Sequence, residues 1–196
     1  MIKDILNFPS VYKLSQKIFL ADNFRKKILY EFLNNKIDRI LDIGCGPGNM
    51  IKYLSFNDYY GFDTNKNYIN YAKKKYVNCN FFCELFTENS LKKIKKVDVV
   101  LLFGLIHHLK NDEVIKLIEL IKLSLNPKGK ILVLDPVFIN NQNPIATFLI
   151  KNDRGLHVRN EQDYIKLFEL QKLNFKHKIY HQKIVPYTWI VTEIDS

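Results

Sequence analysis

The sequence predicts a doubly wound, Rossmann-like α/β fold whose seven-stranded sheet is mostly parallel, ends in an antiparallel C-terminal strand pair and carries helices on both faces. Short β-rich segments alternate with helical segments along the first two thirds of the chain, which is typical of parallel strands joined by right-handed crossovers. A glycine cluster directly follows the first strand. The last two strands are joined only by a short turn at Val185-Pro186, and so short a link requires antiparallel pairing.

The expected strands are identified by β-rich runs that stop at turn residues. The run 97–102 is apolar almost throughout, as expected of a strand covered on both faces. The alternating part gives strands at 39–43, 59–62, 80–83, 97–102 and 129–134, and the tail gives two more at 176–183 and 187–193.

The expected helices are identified by apolar residues at a spacing of three or four. One helical stretch covers 11–35 with a break near 21–23, and another ends before Pro127, which cannot continue a helix. Between 136 and 160 the chain is rich in loop residues. The helix that ends before Pro127 is expected at 112–125, and the others at 49–54, 67–76, 91–96 and 161–171.

We interpret the 196 residues as a single domain, 1–196, because the length suits one core and no low-complexity linker interrupts it. Residues 1–35 are interpreted as an N-terminal helical segment. Residues 136–160 are interpreted as an insertion on the substrate side.

The formal net charge of +10 is compatible with an anionic partner such as nucleic acid, but the lysines are scattered along the chain. Solvated lysines are the preferred interpretation, and a nucleic-acid partner is not expected.

The three cysteines have no paired framework, which suits a reducing compartment. Cys79 and Cys83 lack the second pair of cysteines or histidines that a zinc site needs, so no metal is expected. No apolar run is long enough to cross a bilayer, so we expect a cytoplasmic protein without membrane insertion.

The most informative segment is Leu41-Asp42-Ile43-Gly44-Cys45-Gly46-Pro47-Gly48, between a strand and a helical stretch. Glycines there allow a tight turn and close approach of a ligand to the backbone. Asp63, which ends the second strand, is placed to accept hydrogen bonds from ribose hydroxyls. The dinucleotide fingerprint would require glycine at position 49, and Asp42 would repel a pyrophosphate. The loop therefore indicates a ligand in which adenosine is joined to a cation.

With these motifs, residues 39–135 resemble the class I S-adenosylmethionine-dependent methyltransferases. The resemblance implies that S-adenosylmethionine is the cofactor and S-adenosylhomocysteine the product. It implies backbone contacts to the methionyl part from the end of the fourth strand, at Phe103 and Gly104, and an adenine-contacting acid, for which Glu84 is the available residue. Carried over to the glycine loop and the end of the second strand, the cofactor-binding residues are Asp42, Gly44, Cys45, Gly46, Gly48, Asp63 and Thr64. The resemblance also implies that the helices in 1–35 fold over the cofactor as a lid. Tyr12 and Gln16, one turn apart, are the candidate cofactor contacts of this lid, and a core position is the alternative for Tyr12.

Two groups of residues are candidates for work on the acceptor. His107 and His108 follow the fourth strand, at the edge where open α/β sheets bind ligands, and either is a candidate general base or a residue that orders the loop. Arg154, His157 and Arg159 lie in the insertion, where they either bind an anionic substrate or hold the loop together.

The resulting function is methyl transfer to a small-molecule acceptor, with a hydroxyl oxygen as the expected site. Two alternatives remain open. The basic surface would suit an RNA or protein methyltransferase, although the Asn/Asp-Pro-Pro-aromatic motif of amino-directed nucleic-acid enzymes is not found after the fourth strand. A non-catalytic partner protein that binds S-adenosylmethionine would keep the loop without an acceptor site.

Overall fold

The computed structural model describes residues 21–33, 37–153 and 155–195. They belong to two compact units, Met1–Phe86 and Thr87–Ser196. Tyr12, Gln16 and Arg154, which the sequence analysis singled out, lie outside the described residues.

In its described part, residues 21–33 and 37–86, the first unit contains two α-helices and three parallel strands. The strands lie in the order β3-β2-β1, and their apolar faces bury Ile40, Tyr59 and Phe62 almost completely. The elements are α1 (Ala21–Phe32), β1 (Ile37–Ile43), β2 (Phe56–Phe62), α2 (Lys66–Lys75) and β3 (Asn80–Phe82).

Helix α2 begins where the sequence supplies a cap. The side chain of Asn65 accepts hydrogen bonds from the backbone N–H groups of Asn67 and Tyr68, which the first turn of a helix otherwise leaves without partners. Ile69 and Ala72 face the core, and the three lysines of the last turn are exposed. Lysines in that turn also suit the negative end of the helix dipole.

The second unit contains four strands in the order β4-β5-β7-β6. Strands β4 and β5 are parallel, whereas β7 runs antiparallel to both β5 and β6. Every residue from Ile131 to Pro136 is buried. The elements are α3 (Glu88–Leu91), β4 (Val97–Phe103), α4 (Asn111–Ser124), β5 (Leu125–Pro136), α5 (Pro144–Lys151), α6 (Glu161–Glu169), β6 (Asn174–Gln182) and β7 (Tyr187–Asp195).

The seven strands, their parallel pairing within each unit and the antiparallel C-terminal pair confirm the predicted sheet. Three helix predictions were wrong. The stretch 49–54 contains only a 3₁₀ turn, Ile51–Tyr53. The short helix is Glu88–Leu91 rather than 91–96, because Thr87 and Ser90 form a reciprocal cap at its start. The insertion contains the helix Pro144–Lys151.

None of the helices that the structure describes is long and apolar enough to cross a membrane.

Candidate functional site

The glycine loop leaves β1 through a run of left-handed backbone conformations. Gly44, Gly46 and Gly48 have φ of 78°, 55° and 75°, a region in which a side chain is strained. The N–H groups of Gly44 and Cys45 both donate to the carbonyl of Phe62, at 2.8 and 3.1 Å. These bonds tie the loop to the end of the neighbouring strand β2.

Asp63 lies at the end of β2 and holds the same loop through its carboxylate. Oδ2 accepts a hydrogen bond from the N–H of Gly46 at 2.9 Å, and Oδ1 accepts one from the N–H of Asn65 at 2.8 Å. Two backbone donors therefore fix the orientation of the carboxylate. Because a carboxylate offers about four acceptor positions, Asp63 can also accept bonds from ligand hydroxyls.

Asp42 is a buried carboxylate at the end of β1. Only 2% of the residue is exposed, and its Oδ2 accepts a hydrogen bond from the hydroxyl of Tyr59 at 2.6 Å. Burial raises the pKa of Asp42 to about 7, the bond from Tyr59 opposes that shift, and the charges of Asp63 and Arg25 raise and lower it further. A cation placed beside Asp42 would return it to the ionised form.

Asn49 is a functional candidate that the sequence analysis missed. It follows Gly48, it is 8% exposed, and its Nδ2 has no hydrogen-bond partner among the residues that the structure describes. A buried amide donor without a partner is costly, so a polar ligand group there would stabilise the loop. From the sequence, Asn49 was considered only because it occupies the position where the dinucleotide fingerprint requires glycine.

The other cofactor candidates of the first unit lie around the ends of β1 and β3. Cys45 is buried, and burial raises the pKa of its thiol well above the ordinary value. Thr64 is exposed, and its carbonyl oxygen accepts a bond from the Cys83 thiol at 3.7 Å. Glu84 is half-buried and lies two residues beyond β3.

The end of strand β4, in the second unit, makes a turn at its predicted position. Phe103 is 8% exposed and is the last residue of the strand. Gly104 has φ of 69°, and its N–H donates to the carbonyl of Leu134 at 2.7 Å. The chain thus leaves the sheet immediately before the two histidines.

His107 is held by a buried carboxylate. Its Nδ1 lies 2.7 Å from Oδ1 of Asp135, and its backbone N–H donates to Oδ2 of Asp135 at 3.1 Å. Asp135 belongs to β5 and is fully buried, while 5% of His107 is exposed. The hydroxyl of Tyr164 donates to the same Oδ2 at 3.3 Å, and burial raises the pKa of that hydroxyl well above its ordinary value. Asp135 therefore fixes the orientation of the imidazole, and Tyr164 of α6 in turn binds Asp135.

The insertion packs directly on His107. A Cβ built on Gly155 would lie 1.9 Å from Cδ2 of the imidazole, so only glycine fits there. The N–H of His157 donates to the carbonyl of His107 at 2.9 Å. The segment from Gly155 to His157 consequently covers the histidine.

Arg159 uses its guanidinium to hold this arrangement. It donates to the carbonyls of Ile106, His157 and Leu109 at 3.1, 3.1 and 2.7 Å, and to Oδ1 of Asn111 at 2.8 Å. The residue is 8% exposed. Of its two interpretations, anion binding and loop holding, the geometry favours loop holding, because four of the five N–H donors of the guanidinium already have protein acceptors.

His108 differs from its neighbour in exposure. Its side chain is exposed, and its ring centroid lies 4.2 Å from that of His107. Asp135 and Tyr164 were missed as site residues, although Asp135-Pro136 at the end of the fifth strand was visible in the sequence. Its partner His107 is 28 residues away, a distance in sequence at which no local pattern indicates a contact.

Comparison with known sequences identifies one matching family. Residues 40–129 match the family described as "Methyltransferase domain". The matched range includes the glycine loop, Asp63 and both histidines. No curated protein sequence matches the chain significantly.

Several solved structures have the same fold at low sequence identity. A S-adenosylmethionine-dependent methyltransferase from Archaeoglobus fulgidus is 15% identical, with 94% of this chain and 99% of that chain covered and a TM-score of 0.71. The N-methyltransferase NodS from Bradyrhizobium japonicum is 14% identical, with coverages of 89% and 95% and a TM-score of 0.67. The plantazolicin methyltransferase BpumL, solved with a desmethylPZN analog and SAH, is 18% identical, with coverages of 92% and 84% and a TM-score of 0.64. These likenesses confirm the predicted fold class.

Proposed function

We propose that the chain is a class I S-adenosylmethionine-dependent methyltransferase and that it transfers the methyl group to a hydroxyl oxygen of a small-molecule acceptor. The match of residues 40–129 to the family described as "Methyltransferase domain" and the fold shared with known methyltransferases support the first part. The family, the enzyme class and the cofactor were all predicted from the glycine loop and Asp63. The acceptor, its reacting atom and the residue roles below are our proposals.

The residues of the first unit suit this cofactor. Asp63 offers a carboxylate already oriented by two backbone donors, which fits the two hydroxyls of a ribose. Asp42 is a buried acid with a pKa of about 7, which fits the ammonium of a methionyl group, since a cation stabilises its ionised form. Asn49 contributes a buried amide donor for a polar group. When bound, S-adenosylmethionine supplies a methyl group on a positively charged sulfur.

We assign the role of general base to His107. A neutral imidazole that donates from Nδ1 to Asp135 carries its basic lone pair on Nε2. Proton transfer from an acceptor hydroxyl to Nε2 would create an imidazolium, and the buried carboxylate 2.7 Å from Nδ1 stabilises that charge. This His107–Asp135 contact is the observation that carries the proposal.

The cover over His107 supports the same role. The segment from Gly155 to His157 and the bonds of Arg159 shield the histidine, which is 5% exposed. Exclusion of water from the ring strengthens the electrostatic effect of Asp135 on His107. His157 remains a proposed substrate contact through its half-buried side chain.

An acceptor screen tests the reaction itself. The protein is incubated with methyl-labelled S-adenosylmethionine and a library of hydroxylated small molecules, and products are identified by mass spectrometry. We expect label in an O-methyl product. Label found only in RNA or protein would contradict the proposal, and so would binding of S-adenosylhomocysteine without transfer to any acceptor.

Variants of the two central residues test the mechanism. We expect His107→Gln and Asp135→Asn each to lower kcat by about 10²- to 10⁴-fold, the range contributed by general acid–base catalysis. Binding of S-adenosylhomocysteine and the unfolding temperature distinguish lost catalysis from lost folding. The exposed His108→Gln is the matched control, and a loss of kcat there with normal turnover by His107→Gln would reverse the assignment.

An amine acceptor is a second candidate, because NodS, with a TM-score of 0.67, is an N-methyltransferase. A base is also needed there, since a protonated amine must lose a proton before it attacks. Fragmentation of the methylated product distinguishes the two, because N-methyl and O-methyl products give different fragment ions.

A further inference from the structure

A cavity of about 310 Å³ opens in the second unit between the start of helix α5 and the hairpin that joins β6 to β7. Its volume lies near the lower limit of small-molecule pockets, so it suits a ring-sized fragment rather than a polymer. Its wall includes Asn143, Ala146, His181, Lys183, Tyr187 and Thr188.

The cavity lies at the sheet edge where β5 ends. Strand β7 begins opposite that end, with Trp189 paired to Pro136, and the carbonyl of Thr188 accepts a bond from the N–H of Val137. The neighbour of Pro136 in the chain is Asp135, which holds His107. The cavity is therefore at the same edge as the proposed base.

A second connection runs through the insertion. The hydroxyl of Tyr187, in the cavity wall, donates to the carboxylate of Asp153. Asp153 is two residues before Gly155, which packs on the ring of His107. A hydrogen bond therefore joins the wall of the cavity to the insertion, whose Gly155 packs on the histidine.

The chemistry of the wall is cationic on one side and apolar on the other. Lys183 supplies a positive charge and His181 a ring nitrogen, and the ion pairs among the described residues involve neither of them. None of the lining residues is acidic. Ala146 and the ring of Tyr187 provide apolar contact, which suits the body of a small aromatic or aliphatic compound.

We propose that this cavity binds the anionic end, a carboxylate or phosphate, of the methyl acceptor, with Lys183 and His181 as its contacts. The inference rests on the proposed function and adds the substrate class: a small acceptor with an anionic group and an apolar body. It also moves anion recognition away from Arg159, whose donors hold the loop.

The chain carries its own reporter for this cavity. Trp189 is its single tryptophan. The indole N–H donates to Oε1 of Gln182 at 2.9 Å, and the indole lies 4.6 Å from the ring of Tyr187, measured between centroids. Both partners line the cavity, so occupancy should change the fluorescence of Trp189.

The test is a fluorescence titration in the presence of saturating S-adenosylhomocysteine. The probes are 4-hydroxybenzoate, phenyl phosphate and the neutral 4-hydroxybenzamide. We expect a saturable change with at least one anion, at an affinity about fivefold or more above that of the amide, as expected for a solvent-exposed charge pair. The comparison of the two anions identifies carboxylate or phosphate as the preferred group.

Matched lysine variants localise the effect. Lys183→Met should weaken the preferred anion about fivefold and leave the amide unchanged. Lys176→Met, which removes the same charge from an exposed position on β6 outside the cavity wall, should behave as the wild type. Equal affinity for anion and amide, no saturable response, or equal loss in both variants would overturn the inference.

Calorimetry with S-adenosylhomocysteine on the same preparation separates this inference from the proposed function. Normal cofactor binding and normal methyl transfer without an anion response would overturn only the cavity assignment. Absence of methyl transfer to any acceptor, with an intact anion response, would instead overturn the proposed function.

Discussion

Replacement of Asp42 by asparagine should remove a coupling between cofactor binding and pH. The carboxyl group is 2% exposed, and burial raises its pKa from 3.8 to about 7. Between these values the folded protein holds a proton that the unfolded chain has released, so the stability of the fold falls as pH rises through that window. Above pH 7 the carboxylate is ionised in both states, and this difference in pKa then lowers the free energy of unfolding by roughly 4 kcal/mol.

A ligand ammonium beside Asp42 offsets that cost, because it stabilises the ionised carboxylate. With a pKa of about 7, roughly a tenth of the unliganded protein carries the ionised form at pH 6, and roughly nine tenths at pH 8. If the cofactor binds the ionised form, its affinity should rise about tenfold between these pH values. Binding at pH 7 should release about half a proton.

The assay is calorimetry with S-adenosylhomocysteine, which keeps the ammonium and cannot be turned over. Titrations at pH 6, 7 and 8 give the affinity, and buffers of different ionisation enthalpy give the proton count. Asp42→Asn should bind more weakly and without pH dependence. The control is Asp38→Asn, an exposed acid on the same strand, which should keep the wild-type slope. A flat wild-type profile, or a slope that persists in Asp42→Asn, would refute the reasoning.

Three further predictions concern the insertion and the surface. Gly155→Ala should lower the free energy of unfolding by about 1–3 kcal/mol, because the new methyl group would lie 1.9 Å from the ring of His107; Leu156→Ala, at an exposed neighbour, should change it by less than about 0.5 kcal/mol in the same denaturant titration. In the same titration, Arg159→Lys should lower the free energy of unfolding by about 1–3 kcal/mol. A single ammonium cannot reach the three carbonyls and the amide oxygen to which the guanidinium donates. Retention on an RNA column should fall only gradually with salt, because the lysines are scattered; a steep dependence would favour the nucleic-acid alternative.

The parts of the fold that were predictable from the sequence depend on local signals. The apolar run at Val97–Phe103 identifies a buried strand without reference to any other segment, and the structure buries six of its seven residues. The glycine loop was equally visible, since positive φ at Gly44, Gly46 and Gly48 requires that residue type. A link of only four residues between β6 and β7 was sufficient to predict their antiparallel pairing.

The errors occur where capping or distant contacts decide the structure. The lysine-rich stretch 91–96 has helical propensity, but the cap formed by Thr87 and Ser90 starts the helix earlier. In the insertion, Asn143 caps a helix whose first residue is Pro144, a start signal that the abundance of loop residues obscured. Neither error changes the glycine loop, which lies within the range that matches the methyltransferase family.

The proposed catalytic pair was beyond sequence reasoning for a different reason. The contact between His107 and Asp135 exists only after β4 and β5 have paired, since that pairing brings the ends of the two strands together. The role of Arg159 also depends on contacts that form only in the folded chain. Its charge suggested an anion site, whereas in the structure its guanidinium is surrounded by carbonyl acceptors. The charge of a residue in the sequence does not distinguish anion binding from loop holding, whereas the burial of its side chain does.

The proposed cofactor-binding side chains and the proposed acceptor site lie in different units, which predicts where the selectivity for the acceptor resides. The side chains that we propose to bind the cofactor are all in the first unit, within the range that matches the family. They are those of Asp42, Asn49 and Asp63. The cavity and the cover of His107 are built from residues after position 136, beyond that range. We therefore expect changes in the insertion and the β6–β7 hairpin to alter the acceptor, while Asp135, fixed inside β5, keeps the proposed base in position. Because loops on a rigid sheet tolerate sequence change better than the sheet itself, acceptor specificity should reside in residues such as Lys183 rather than in His107.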